Sequence, residues 1–310
     1  VESRKTRQLG VGPRPHAERR LSWVSRRADA DALAAEPRFR VEYQVIDRPG
    51  LDEIRAMPGD VIFPVLHGAF GEGGPLQDLL AQDGRPYVGC TSIAARTAMD
   101  KLATKLAAAK IGIDTAAAAI FNPSDTGCPL AFPVVVKPVH EGSSVGVHFA
   151  SDLASWTKVH AVVVADMQAH PARIYMVEAA IMGGRELTVG LLDGVALAPI
   201  EIKPQEKFYD YHAKYHSDDT RYEVEPSLPA GVRDAIRKSA ERLFVAIGCR
   251  HLSRADFILD SSSKPWLLEI NTMPGFTGHS LLPMAANHAG LDFRALTTRL
   301  VDLALRDGVS

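Results

Sequence analysis

Residues 253–280, SRADFILDSSSKPWLLEINTMPGFTGHS, hold two apolar runs on either side of the polar segment Ser261-Ser262-Ser263-Lys264-Pro265. That pattern reads as two strands joined by a short loop. Alternate residues of a strand share a face, so Glu269 and Asn271 project together, and Asp256 on the first strand can meet them across the ladder. Two carboxylates and an amide oxygen on one sheet face suit a hard cation such as magnesium. The plainer alternative is a set of solvated strand residues on an edge. What favours the cation is the company these residues keep: basic and glycine-rich elements elsewhere in the chain call for such a metal.

The chain has 310 residues, enough for two or three domains with their own cores. Hydrophobic residues make up 46% and charged residues 23%, the balance of an ordinary soluble globular protein. A net charge of −2 argues against a dedicated nucleic-acid binder. Cys90, Cys128 and Cys249 are odd in number and lack metal-ligand spacing, which suggests a reducing, cytoplasmic setting. The basic opening VESRKTRQLG has no apolar run behind it, and no stretch reaches the roughly 18 apolar residues of a membrane span. The expectation is a soluble intracellular protein.

Before the 253–280 stretch the chain alternates strand and helix signals. AERRLSWVSRRADADAL (17–33) can form an amphipathic helix, on which Glu18 would sit near the positive end of the helix dipole. Val41–Ile46 and Asp60–Leu66 read as strands, the second with Pro64 inside it. His67-Gly68-Ala69-Phe70-Gly71-Glu72-Gly73-Gly74-Pro75 then opens a helix, the strand–loop–helix layout by which open α/β sheets bind ligands. The loop lacks Walker or Rossmann spacing, and by itself His67 reads as structural. A short strand at 84–89 closes a first α/β domain near residue 90.

Ser92 to Lys110 is strongly helical, and spacing alone puts Lys101 and Lys105 on a solvated face. FPVVVKP (132–138) is a buried strand ending in Lys137; EGSSVGV (141–147) after it is either a plain hairpin or a loop whose backbone N–H groups wrap phosphate. RIYMVEAA (173–180), a Gly183-Gly184 break and RELTVGLL (185–192) read either as two adjacent strands or as an adenine-binding hinge with Glu178 and Glu186. KFYDYHAKYHSDDTR (207–221) has no period and reads as a lid, with Lys214 and Tyr215 as its chemical groups. Helices follow at 231–247 and 291–304, and His279 and Ser280 stand where helix N-terminal amides can face an anion.

Taken in order, MDKLATK (99–105), VVVKP (134–138), EGSSVGV (141–147), FYDYHAKY (208–215), SRADFILD (253–260), LLEINTMPGFTGHS (267–280) and LLPMAA (281–286) resemble the D-alanine–D-alanine ligases of the ATP-grasp superfamily. The match runs from Val61 to the C-terminus, about four fifths of the chain, and HAERRLSWVS (16–25) looks like a worn version of the family's opening segment. The resemblance implies an α/β fold of three domains: an N-terminal Rossmann-like unit (1–90), a central ATP-grasp unit (91–180) and a C-terminal one (181–310). It also implies that ATP phosphorylates one D-alanine carboxylate and that the amine of a second displaces the phosphate. A pair of Mg2+ or Mn2+ ions would be held by Asp256, Glu269 and Asn271.

By the same resemblance, Lys101, Lys137 and Lys214 match phosphate-side lysines. Glu178, Ala179 and Ile181 match the adenine hinge, Glu186 the ribose contact, and Phe208 a residue packed near the base. Arg254 and the N–H of Gly275 match the groups that stabilise the tetrahedral oxygen, while Glu18, Ser143 and Tyr215 match a trio that positions the first D-alanine. His67 matches the first subsite, and Ser280 and Leu281 the second. Lys214-Tyr215 in the lid favours a dipeptide over a depsipeptide product, and the family tendency is a homodimer.

Three features depart from the family pattern. SRKTRQLGVGPRPH stands in place of an apolar strand with a Gly-Gly-Ser/Thr turn, Ala179-Ala180 in place of Lys-Trp, and Gly73 in place of an acidic residue. Two other readings compete: a related ATP-grasp ligase with a different amino or hydroxy acid, and a nucleotide-binding homologue without turnover.

Overall fold

The computed structural model describes residues 19–24, 34, 36–125, 127–142, 145–203 and 220–308. Three sheets organise them. The first is parallel, in the order β2-β1-β3, from β1 (Arg19–Val24), β2 (Phe39–Gln44) and β3 (Val61–Pro64). Helix α1 (Leu51–Ala56) connects β2 to β3; the short α2 (Gly68–Gly71) and then α3 (Pro75–Asp83) follow. All of β3 is buried, as expected of a strand covered on both faces. Pro64 ends it, where a missing N–H matters least.

Two expectations for this region fail. The helix read over 17–33 is, from Arg19 to Val24, the central strand: it pairs in register with Phe39–Gln44 on one side and with Val61–Pro64 on the other. Ladder hydrogen bonds to two neighbours outweigh a modest helical preference. The strand expected at 84–89 is an isolated bridge, with Tyr87 opposite Ile62.

The next segment folds as two helices, α4 (Ser92–Met99) and α5 (Lys101–Lys110), rather than one. Asp100 divides them because its carboxylate caps α5, accepting from the N–H groups of Leu102 and Ala103. Strands β4 (Ala118–Ile120), β5 (Val134–Pro138) and β6 (His148–Ala150) follow, then α6 (Leu153–Ala169) and β7 (Tyr175–Ala179). These strands form the second sheet, in the order β4-β7-β5-β6, with antiparallel neighbours. One face, through Val134, Val136, Tyr175 and Val177, packs on Trp156 of α6 and on Phe121. Period-two alternation turns Val135, Lys137, Met176 and Glu178 to the opposite face.

The third sheet contains β8 (Arg185–Leu192), β9 (Val195–Ala196), β10 (Ile200–Lys203) and β11 (Arg221–Val224). After α7 (Val232–Ile247) it is completed by β12 (Leu252–Leu259) and β13 (Pro265–Asn271). Its order is β11-β10-β8-β12-β13, with β9 on β8. Leu187, Val189, Ala255, Phe257 and Leu267 pack into one core with Ile236, Ala240 and Leu243 of α7. Helices α8 (Leu281–His288) and α9 (Phe293–Asp307) close the chain. They join the first sheet to the third through a core that contains Phe63, Val65, Leu252, Phe276, Leu282 and Leu300. Among the described residues no helix is long and apolar enough to cross a membrane.

Candidate active site

With its apolar residues committed to α7, the third sheet presents its polar ones on the other face. The β12–β13 register sets Arg254 opposite Asn271 and Asp256 opposite Glu269. A β-bulge after Asp256 shifts the pairing beyond that point. On the other side of β12, Asp256 faces Thr188 and Ile258 faces Glu186. Glu186, Thr188, Arg254, Asp256, Glu269 and Asn271 therefore share one surface.

Asp256 is buried at the centre of this surface. Its Oδ1 accepts from Thr188 Oγ1 at 2.6 Å and from Arg254 Nε at 2.9 Å, and its Oδ2 accepts from Arg254 Nη2 at 2.7 Å. Burial disfavours the Arg254 cation, but Asp256, with Glu269 and Glu186 behind it, raises the Arg254 pKa above its ordinary value. Glu269 is more open, with its side chain 33% exposed, and lies 3.4 Å from Lys101 Nζ. Lys101 also donates to Glu141 O at 2.6 Å and so ties the sheet face to the loop after β5. Met99, Lys101, Glu141, Gly142, Glu269 and Asn271 line a small, solvent-open cleft.

Lys101 and Lys105, read from spacing as solvated, are both buried. With Thr104 and Ala108 they form the inward stripe of α5, and i, i+3, i+4, i+7 is the spacing of a packed helix face. Lysine heads can occupy such a stripe only where they find anions or carbonyls. Lys105 finds Ala116 O at 2.8 Å and the Glu178 carboxylate; Lys137 pairs with the other oxygen of Glu178. Burial pushes the Glu178 carboxyl up, but the ammonium groups of Lys137 and Lys105 outweigh it and hold its pKa below the usual range. Burial lowers the Lys105 pKa against the pull of Glu178. Neither Lys105 nor Thr188 stood among the expected site residues. The stripe on α5 signals the first, and alternation with Glu186 on β8 the second.

At the end of β7, where an adenine hinge is expected, the Ala179 N–H is taken up by Ala117 O and the Ala180 N–H by Pro133 O. Ile181 follows, and the chain passes from the second sheet to the third through Gly183-Gly184. His67 is the N-cap of α2, its Nδ1 4.0 Å from Glu72 Oε2. Gly275 adjoins Ser280, whose Oγ accepts from the Thr277 N–H at 3.0 Å at the start of α8, and Leu281 is that helix's first residue. Glu18, Ser143, Phe208, Lys214 and Tyr215 lie outside the described residues.

A family model described as "D-ala D-ala ligase C-terminus" matches residues 123–302. The D-alanine–D-alanine ligase of Stutzerimonas stutzeri is 39% identical over 293 residues, which cover 92% of this chain and 91% of the relative. This chain belongs to the D-alanine–D-alanine ligase family. The D-alanine–D-alanine ligase of Methylacidiphilum infernorum is 35% identical over 94% of the chain and 92% of its own length. A crystal structure of D-alanine–D-alanine ligase from Bacillus anthracis complexed with ATP superposes with a TM-score of 0.75 at 26% identity, covering 94% of this chain and 98% of that one. A mixed α/β fold of the ATP-grasp type follows for this ligase-family chain.

Among the described residues no group of three His, Cys, Asp or Glu side chains forms a metal cage. The expected donor set has a different composition: two carboxylates and the Asn271 amide, whose oxygen accepts a single 2.9 Å bond from the Met273 N–H. Asp256 accepts three hydrogen bonds, leaving about one of a carboxylate's roughly four lone-pair positions. An all-oxygen set of this kind, with one position left on Asp256 and a more exposed carboxylate on Glu269, fits a small hard cation that takes its remaining ligands from phosphate and water.

Proposed function

We propose that the chain is an ATP-dependent ligase that joins two D-alanine molecules through an acyl phosphate, as a step toward a peptidoglycan precursor. The observation that carries this reading is the polar face of Arg254, Asp256, Glu269 and Asn271, tied through Lys101 to the loop after β5, in a chain of this family. A carboxylate is a poor electrophile, and phosphorylation by ATP converts one of its oxygens into a leaving group. The amine of the second D-alanine then attacks the acyl carbon and inorganic phosphate departs.

Asp256, Glu269 and Asn271 would hold magnesium or manganese, which would supply positive charge to offset that of the phosphates. Lys101 and Lys137, with Lys214, supply ammonium groups on the phosphate side. The backbones of Ala179 and Ile181 address the adenine, Phe208 packs near it, and Glu186 binds the ribose. Glu178 contributes from the hinge, with its carboxylate held between two lysines. Arg254 and the Gly275 N–H stabilise the tetrahedral oxygen, typically worth a few kcal/mol per donor. His67 with Glu18, Ser143 and Tyr215 positions the first D-alanine; Ser280 and Leu281 receive the carboxylate of the second.

The division at about residues 90 and 180 belongs to the same reading. Its support is the passage from β7 in one sheet to β8 in the next. A homodimer is the family tendency, and light scattering reads the assembly state; a cytoplasmic setting belongs to the same reading through the cysteine usage.

The deciding experiment incubates the chain with ATP, Mg2+ and D-alanine. ADP and phosphate should appear only with D-alanine, together with the dipeptide by mass spectrometry. ATP consumption with another amino or hydroxy acid and none with D-alanine would move the reading to a related ligase. Tight ATP binding without product would move it to a homologue without turnover.

A further inference from the structure

The buried triad Lys105–Glu178–Lys137 has a charge arrangement that the reaction as described does not explain. Glu178 and Lys105 are almost fully buried, and each carboxylate oxygen of Glu178 meets a different ammonium group. The two lysines are not equivalent. Lys105 has a second anchor, Ala116 O at 2.8 Å, beside the β4–β7 ladder that carries the hinge. Lys137 stands near the end of β5, on the same sheet face as Glu178, and its described ion-pair partner is Glu178. The loop at 141–147 follows immediately.

We propose that Lys105 is a positioning residue that neutralises Glu178 permanently, so that Lys137 can leave the carboxylate for the triphosphate when nucleotide binds. This inference rests on the ATP-ligase reading. A buried carboxylate must keep a countercharge. If Lys137 were its sole partner, each nucleotide bound would strand Glu178 without one. With Lys105 fixed to Glu178 and to Ala116 O, Lys137 can transfer at little cost. The triad as a whole carries one net positive charge, which that transfer delivers to the phosphates.

The test measures binding of a fluorescent ATP analogue, and the KM values for ATP and D-alanine, in the full chain and in K105M, E178Q and K105M/E178Q. Circular dichroism confirms folding of each variant. In K105M, Lys137 is the last countercharge of Glu178, so nucleotide affinity should fall by about tenfold or more, the scale of an uncompensated buried charge. The KM for D-alanine should stay within about twofold, since nothing in the triad touches that subsite. K105M/E178Q again carries one positive charge and no carboxylate to strand, and should bind nucleotide within about threefold of E178Q alone.

Nucleotide affinity unchanged in K105M overturns the proposal, and so does a K105M loss that persists undiminished in the E178Q background. If K105M fails to fold, the comparison of K105M/E178Q with E178Q decides in its place. An unmodified chain that binds no ATP would overturn the nucleotide reading itself, an outcome distinct from a chain that binds ATP and ignores the Lys105 substitution.

Discussion

Arg254 grips Asp256, two residues further along β12, with Nε on Oδ1 at 2.9 Å and Nη2 on Oδ2 at 2.7 Å. The fork matches the carboxylate in a way a single ammonium does not. Arg254→Lys should therefore fold but lose at least about a hundredfold in kcat, the scale of one oxyanion donor. Arg254→Ala, which leaves Asp256 buried without its cation, should also destabilise the chain by about 3 kcal/mol. A phosphate-release assay and urea denaturation separate the two effects.

Glu269 offers the most exposed carboxylate of the proposed cation set. Glu269→Gln keeps its shape and removes its charge, so the Mg2+ concentration for half-maximal activity should rise by about tenfold or more. The Lys101–Glu269 pair is partly solvated, and its loss should change stability by less than about 1 kcal/mol. Chelation should abolish turnover, and added Mg2+ or Mn2+ should restore it.

His251 is buried between Gly89 and the end of α9. Its Nδ1 accepts from the Gly89 N–H at 3.0 Å, and its Nε2 lies 3.3 Å from Asp307 Oδ2. Burial, with the charge of Arg250, lowers its pKa to about 4 against the pull of Asp307. The unfolded chain takes up this proton near pH 6.5 and the folded chain only near pH 4. Stability from His251 is therefore fully present above about pH 6.5 and is lost as pH falls toward 4, by about 3 kcal/mol in all. His251→Asn suits the left-handed backbone, φ 65°, and can still accept from Gly89. Denaturant melts at pH 7.5 and 5 should show the acid loss in the parent chain and a much smaller one in the variant.

Gly184 sits where the chain crosses between sheets, and a Cβ there would stand 2.5 Å from Ile258 Cγ1 and 2.6 Å from the Leu259 carbonyl oxygen. A backbone carbonyl in a sheet cannot move aside cheaply. Gly184→Ala should cost about 1–3 kcal/mol. Gly183→Ala meets open space and bears only the strain of φ 65°, about 1 kcal/mol. Thermal denaturation ranks the two.

The strand pair at 252–271 was legible because period-two alternation and a polar turn are local properties of the chain, and the structure sets Asp256 opposite Glu269 as that alternation requires. The strand–break–strand pattern around Gly183-Gly184 was legible for the same reason. Local pattern misread Arg19–Val24, whose extended form depends on ladders with residues 20 and 40 positions away.

Sequence alone determined much of the alternation of elements after residue 90, the common face of Asp256, Glu269 and Asn271, and the family. Only the tertiary structure decided that Lys101 and Lys105 are buried, that Glu178 is held between two lysines, and that the expected single helix divides at Asp100. The physical reason is that period depends on neighbours along the chain, whereas the burial of a charge depends on which distant anion or carbonyl the fold brings to meet it.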